Sequence, residues 1–361
     1  MIFVTHFTYV DNEHALEAAA AEWKRCGVIG VDIECENGLH HYGTFISIVQ
    51  ISTEHRNWVV DVLQINNVTP LISVLEDASV QKIFHDVKFD FSILATELGC
   101  RPKNVFDTQI AAVLLGKKQV GLGALLEEYF NVHKEHKFQK ADWTMRPLTA
   151  EMLEYAIGDT AYLIQLRDKL KGELEALGRL SWAQEEFRLL EERKFELTQQ
   201  KYYEVSGVRQ MTDQERGIFR KLFILREHMA RRADRPVYFI ISTKRLLELS
   251  KSPPKSVDEW ERMRGIHPIV KRYAYRFHHA VVQGRRECVH FPPLRHTIKL
   301  NAGQEAFVER LNGIRIKIGH DLNIAPETVM TRDEMERIAK YEDYSCLHEW
   351  QKNLVLQYLE K

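Results

Sequence analysis

Apolar and polar positions change rhythm along this chain, and the change separates two kinds of architecture. Between residues 28 and 63 the apolar residues come in short blocks: VIGVDIEC at 28–35, TFISIVQIS at 44–52 and NWVVDVL at 57–63. Each block is rich in β-branched and aromatic residues and bounded by polar ones, the pattern of buried strands. QKIFH at 81–85 and NVF at 104–106 read as two shorter strands. Gly43 and Glu54–Arg56 supply turns. Helical spacing marks 12–26, 68–77, 88–98, 107–116, 121–130 and 149–176. Strands first and interleaved helices later predict an α/β domain with a mixed sheet. Residues 131–148 are polar and read as a loop with a short helix.

Beyond this point the strand pattern stops. Residues 178–200 read as a charged connecting helix. A helix starts at Thr212 and stops before Pro236. Shorter helices follow at 242–250 and 256–263, separated by SPP at 252–254, then a longer one at 267–283. FPPL at 291–294 marks a boundary, and helices at 302–322 and 346–359 close the chain. The pattern predicts an α/β domain over 1–176, a helical connector over 177–209, and all-α modules over 210–289 and 290–361. Segments 211–283 and 302–359 are candidates for two diverged copies of one module, which pattern alone does not decide.

Composition narrows the class. The chain has 361 residues, 45% of them apolar, enough for packed cores and too many for wholesale disorder. No apolar run approaches the ~18–20 residues of a membrane helix, and the N-terminus has no signal-peptide pattern. Cys26, Cys35, Cys100, Cys288 and Cys346 are odd in number and form no C-x-x-C pair. That argues against a disulfide framework or zinc site and predicts a reducing cytoplasm. The net charge of −1 seems to argue against a nucleic-acid partner. Its distribution says otherwise. Residues 1–204 hold 21 basic and 31 acidic side chains, 205–290 hold 19 and 9, and 291–361 hold 10 and 11. An acidic, a basic and a neutral block imply modules with different tasks.

Five residues stand out in the first block. Asp32 and Glu34 alternate on a strand and point to one face. Asp90 falls at the start of an amphipathic helix. Tyr155 and Asp159 are four residues apart on one helical face. Singly, each has an ordinary reading: a strand end reaching solvent, a helix cap, a Tyr packed at the core edge beside a solvated Asp. The ordered set of D-x-E, H-x-x-x-F-D and Y-x-x-x-D is far more specific than its parts.

That set resembles the motifs of the DEDDy 3′–5′ exonucleases. KFQKADWTMRPLTAEMLEYAIGDTAYL at 137–163, VFDTQIAAVLLG at 105–116 and GLGALLEEYF at 121–130 resemble ribonuclease D. The resemblance implies a ribonuclease H-like mixed sheet and two divalent ions, Mg²⁺ or Mn²⁺, the hard cations that carboxylates favour. It implies that Asp32 bridges both ions, that Glu34 and Asp159 hold the one beside the attacking water, and that Asp90 supports the second. Tyr155 would orient the water, since a phenol of pKa about 10 is a poor base. Phosphodiester hydrolysis needs an activated water and a neutralised phosphate, which two ions ~3.5–4 Å apart supply.

Other positions have two readings each. The first motif is DIE where many ribonuclease D sequences have DTE, so Ile33 offers only its backbone to a terminal nucleotide. Gln50 and His85 are substrate contacts or strand-edge hydrogen bonders. Phe89 wedges against a base or packs in the core. Arg146 braces the tyrosine helix or reaches a phosphate. Cys35 reads as a small buried hydrophobe, Asp107 as a helix cap. His133 and His136 lack a matched carboxylate context for metal binding.

Residues 211–285 resemble the helicase-and-ribonuclease-D C-terminal (HRDC) domain through an Arg-rich first helix, the D-R-P stop at 234–236, P-K-S and the M-R-G-I-H-P turn. Arg231, Arg232, Lys271, Arg272 and Arg276 are candidate phosphate contacts. Tyr273, Tyr275 and Phe277 interleave with them, as base-stacking or core residues. Residues 302–359 resemble a second, diverged HRDC-like module. The resemblance implies a 3′–5′ exoribonuclease that trims structured RNA, tRNA precursors above all, and releases nucleoside 5′-monophosphates. A monomer with no membrane contact is expected, and no protein-partner motif is visible. A proofreading-type DNA exonuclease and a catalytically silent RNA-binding scaffold are the alternatives.

Overall fold

The computed structural model describes residues 7–135, 137–292 and 298–360. His136 and the end of the FPPL boundary lie outside them. The first domain is built on one sheet of six strands: β1 (Thr8–Val10), β2 (Val28–Asn37), β3 (Thr44–Ser52), β4 (Asn57–Asp61), β5 (Gln81–Phe84) and β6 (Val105–Asp107). Their spatial order is β1-β4-β3-β2-β5-β6. The pairs β2–β3 and β3–β4 are antiparallel; β1–β4, β2–β5 and β5–β6 are parallel. The strand blocks in the sequence thus form a mixed sheet. β1 has no counterpart in the sequence reading; its identity comes from its pairing with β4.

Alternation along β2 sorts its two faces. Ile29, Val31 and Ile33 join Val49, Ile51, Trp58 and Val60 in a core closed by the helices Glu13–Cys26, Thr69–Leu75 and Lys88–Leu98. Gly30, Asp32 and Glu34 point to the other face, where the helix Ala150–Thr160 packs Ala156 and Ile157 on Ile48 and Val59. The predicted single helix over 149–176 is two helices, Ala150–Thr160 and Leu163–Ala176. Thr160 ends the first, its hydroxyl 2.5 Å from that of Ser52 on β3. The short helix expected within 131–148 is absent among the described residues, which form turns there.

The connector also differs from expectation. Its helix, Leu180–Glu192, stops eight residues early. Phe195 and Leu197 then alternate in an extended segment and pack on the first domain's core, with Phe195 edge-on to Phe91 at 5.4 Å. The basic block forms a helical module around Phe219, Leu222, Trp260 and Phe277. The predicted helix 267–283 is broken at Tyr273 into Pro268–Arg272 and Ala274–Gly284.

The final block adds Ala302–Leu322, Pro326–Val329, Arg332–Tyr341 and Glu349–Leu359. The helix Arg332–Tyr341 was not foreseen, although Thr331 and Glu334 form a capping box at its start. Element order repeats between the two modules. Each opens with a 21-residue helix begun by a capping box and ended by a left-handed residue, Asp234 or Asn323. Each continues with a four-residue helical turn and a capped helix. The last module docks on the connector helix, where Trp350 stacks on Trp182 at 4.9 Å and Glu186 accepts the indole N–H at 2.7 Å. Among the described residues no helix is long and apolar enough to cross a membrane.

Candidate active site

Close approach of a strand and a helix creates the site. Gly30 lies on the same face of β2 as Asp32, and a Cβ there would come within 3.0 Å of the Thr160 carbonyl oxygen and 3.2 Å of Leu163 Cβ. Its absence lets the tyrosine helix settle against the strand. Asp32, Glu34 and Asp159 consequently place carboxylate oxygens within 4.8 Å of one another. Asp159 is 6% exposed and Asp90, in the first turn of Lys88–Leu98, is 9% exposed. Asp107 fixes the segment leading to Asp90. It caps the helix Thr108–Leu114 by accepting from Gln109 and Ile110, and it also accepts the Val87 N–H at 2.9 Å.

Burial dominates the electrostatics, and crowding of the acids adds to it. Burial, then repulsion from Asp159, raises the Asp32 carboxyl well above the usual carboxylate range. Glu34 is raised by burial and then by Asp32 and Asp159. Burial raises Asp90, and Asp32 adds to it. Tyr155 is pushed up by burial and the same acids, so its phenol keeps its proton. A cluster of buried acids that strains against ionisation is stabilised by multivalent cations with oxygen preference. The donor set of carboxylates without thiolates fits a hard divalent ion.

One cation is already present. Lys134 projects from the polar 131–148 loop, its Nζ in contact with Asp159 Oδ1 and 5.0 Å from the centre of the Tyr155 ring. The sequence reading missed it, because a lysine in an aperiodic loop carries no pattern. It lines a cleft of about 720 Å³ with Asp32, Glu34, His85, Tyr155 and Asp159. His85 Nδ1 lies 2.9 Å from Thr108 Oγ1, which itself donates to the Phe84 carbonyl. Thr108 is therefore the acceptor from His85, and Nε2 carries the lone pair. Burial pulls His85 down to about 4, so its ring is neutral at pH 7.

The remaining candidates separate. Ile33 lines the cleft. Gln50 is fully buried on β3 opposite Asp32, with its amide atoms unpaired. Phe89 is 39% exposed beside Asp90. Arg146 is held away from the cleft: its guanidinium donates to Asp61 Oδ1 at 2.7 Å and to the Trp143 and Met145 carbonyls at 2.7 and 2.8 Å. Its role here is to fold the loop onto β4. Cys35 is partly buried, and burial raises its thiol to about 12. His133 lies at the cleft margin, 3.4 Å from Glu127.

In the basic module Arg232, Arg272 and Arg276 surround Tyr273 at 5.1–6.0 Å, and all three are exposed. Arg231 covers Tyr42 at 5.3 Å, and Lys271 is exposed beside Arg272. Phe277 belongs to the core, while Tyr275 is open to solvent.

Fold and site together define an exonuclease core carrying an HRDC module. Residues 7–175 match the 3′-5′ exonuclease family and residues 215–281 match the HRDC domain. Ribonuclease D of Sphingobium indicum is 27% identical over 319 residues, 86% of this chain and 82% of that protein. Exosome complex exonuclease RRP6 of Saccharomyces cerevisiae is 33% identical over 189 residues, 52% of this chain. That match spans only 26% of RRP6. The crystal structure of Escherichia coli RNase D shares the fold over 99% of both chains, with a TM-score of 0.72 at 21% identity. The chain thus joins a 3′-5′ exonuclease domain to an HRDC domain, and over most of its length it is similar to ribonuclease D.

Proposed function

We propose that the chain is a 3′–5′ exoribonuclease that trims the 3′ ends of structured RNA, tRNA precursors above all, one nucleoside 5′-monophosphate at a time. The observation that carries this reading is the convergence of the half-buried Asp32 and Glu34 with the buried Asp159 at an open cleft. Two divalent ions, Mg²⁺ or Mn²⁺, suit carboxylate donors; Asp32, Glu34 and Asp159 would hold one, and Asp90 would help Asp32 hold the other. When bound they supply charge neutralisation at the phosphate and a more acidic water.

The chain's own groups do the positioning. Asp32 and Glu34 are fixed by a paired strand, Asp159 by a helix, so their geometry is set before substrate arrives. Tyr155, protonated and anchored by packing against Trp143 and Phe138, orients the attacking water through its phenolic oxygen. The water oxygen bonds to phosphorus, the P–O3′ bond breaks, and a proton passes to the leaving O3′. The exposed arginines around Tyr273 hold the RNA body through phosphate contacts without sequence choice. Residues 298–360, with their repeated element order, act as a second HRDC-like module that packs on the connector.

The test is digestion of matched RNA and DNA 3′ tails with Mg²⁺ or Mn²⁺, with chromatography of the products. Nucleoside 5′-monophosphates released from RNA support the reading. Preference for DNA supports a proofreading-type exonuclease, and absence of hydrolysis supports an RNA-binding scaffold.

A further inference from the structure

The hairpin that follows the catalytic strand reaches the basic module. Glu36, buried at the end of β2, accepts the N–H of His40 at 3.0 Å and shapes the tip. His41 Nδ1 then meets Asp234 at 2.6 Å, and the Tyr42 N–H donates to Asp234 at 3.2 Å. Tyr42 packs on the core of the helical module, under Arg231. Tyr238 donates its hydroxyl to the Leu39 carbonyl at 2.8 Å. The catalytic strand and the helical module are thus locked at one seam, and Leu39 is five residues from Glu34, at most about 17 Å along an extended chain.

Two large aromatics stand open on this seam. Tyr238 is 49% and Phe239 54% exposed, with ring centres 4.9 Å apart. Their turn, Val237–Ile240, is anchored by Ile240, which is fully buried, and Ile241 behind it. The rings are therefore held outward by a rigid base. Leu39 beside them is 40% exposed. The nearest exposed charges on the same segment are Arg231, Arg232 and Arg235, while Asp234 is already engaged by His41. Rigid aromatic faces flanked by arginines, close to a phosphodiester-cleaving cleft, match unpaired nucleotide bases better than an apolar protein surface.

We propose that Tyr238 and Phe239 form a stacking platform for unpaired RNA bases a few nucleotides upstream of the 3′ end, which rests on the exoribonuclease reading above. The platform aligns the strand toward the carboxylates and makes the chain favour ends with a single-stranded tail. The hydroxyl of Tyr238 sets the platform's orientation by holding Leu39; the bases stack on the rings.

The test uses the full chain without divalent metal, with fluorescence anisotropy of an unpaired RNA and of a blunt duplex RNA. Phe239→Ala removes an exposed ring and is checked for an unchanged melting temperature. The expected result is about tenfold weaker binding of the unpaired RNA, the loss of roughly one stacked base. The salt slope stays as in the parent chain, because no phosphate-contacting charge is removed. A 2-aminopurine base placed upstream of the 3′ end is quenched on binding to the parent chain and not to Phe239→Ala. Unchanged affinity and quenching overturn the proposal, as does a change from dimer to monomer in Phe239→Ala, which would make the patch a contact between copies. Hydrolysis of a dinucleotide by the parent chain checks the catalytic reading separately, since a dinucleotide is too short to reach the seam.

Discussion

Gly30→Ala perturbs the site without touching any carboxylate. Ordinary contacts lie at ~3.5–4.0 Å. The added Cβ would sit 3.0 Å from the Thr160 carbonyl oxygen and 3.2 Å from Leu163 Cβ. Relief requires a shift of roughly 0.5 Å between β2 and the tyrosine helix, the tolerance within which such constellations function. Overpacking of this kind costs about 1–3 kcal/mol, against about 0.5–1 kcal/mol gained by replacing Gly in a strand. The net expectation is a loss of about 1 kcal/mol, a fall in Tm of a few degrees for a domain this large. Metal affinity falls further, by about tenfold or more, because Asp159 moves relative to Asp32 and Glu34. Differential scanning calorimetry and isothermal titration with Mn²⁺ read the two effects. A raised Tm together with unchanged Mn²⁺ affinity refutes the close-approach argument.

Three further outcomes follow from the geometry. Asp32→Asn abolishes metal-dependent hydrolysis yet does not lower the metal-free Tm, because one of several mutually repelling buried charges is gone; a large fall in metal-free Tm contradicts this. Lys134→Met tightens Mn²⁺ binding by about tenfold, equivalent to about 1.4 kcal/mol, by removing a competing cation from Asp159; calorimetric titration showing weaker binding would reverse the sign of the argument. The His41–Asp234 clasp is pH-dependent, because its hydrogen bond to Asp234 raises His41 above 6.5, with Asp142 also nearby. Its stabilisation is complete below pH 6.5 and is lost as pH rises through the raised value. Protection of the Tyr42 amide against hydrogen exchange, taken relative to the intrinsic base-catalysed rate, should fall over that range in the parent chain and stay level in Asp234→Asn.

The five candidate site residues stood out as an ordered set of motifs on regular elements, since each alone had an ordinary reading. The strand of Asp32 and Glu34 and the helix of Tyr155 and Asp159 carry strong periodicity, and the structure brings them together. What escaped depends on distant partners. β1 exists through pairing with β4. The connector leaves its helix because Phe195 and Leu197 find the core of the first domain, a contact no local pattern announces. Arg146 is fixed by Asp61, 85 positions away in sequence. Lys134 reaches Asp159 from a loop without periodicity. The seam at Leu39, His41 and Tyr42 joins residues nearly 200 positions apart, for which the one signal was the D-R-P stop at 234–236.

The net charge of −1 is thus the sum of an acidic first domain and connector, a basic module joined to that domain at the seam, and a near-neutral last block. The most direct measurement is a sequencing gel of a 5′-labelled tRNA precursor with a 3′ trailer, incubated with Mg²⁺ or Mn²⁺. The account predicts stepwise shortening from the 3′ end, slowing near the base of the acceptor stem, and none in Asp32→Asn. Internal fragments, or the same ladder in Asp32→Asn, would contradict it.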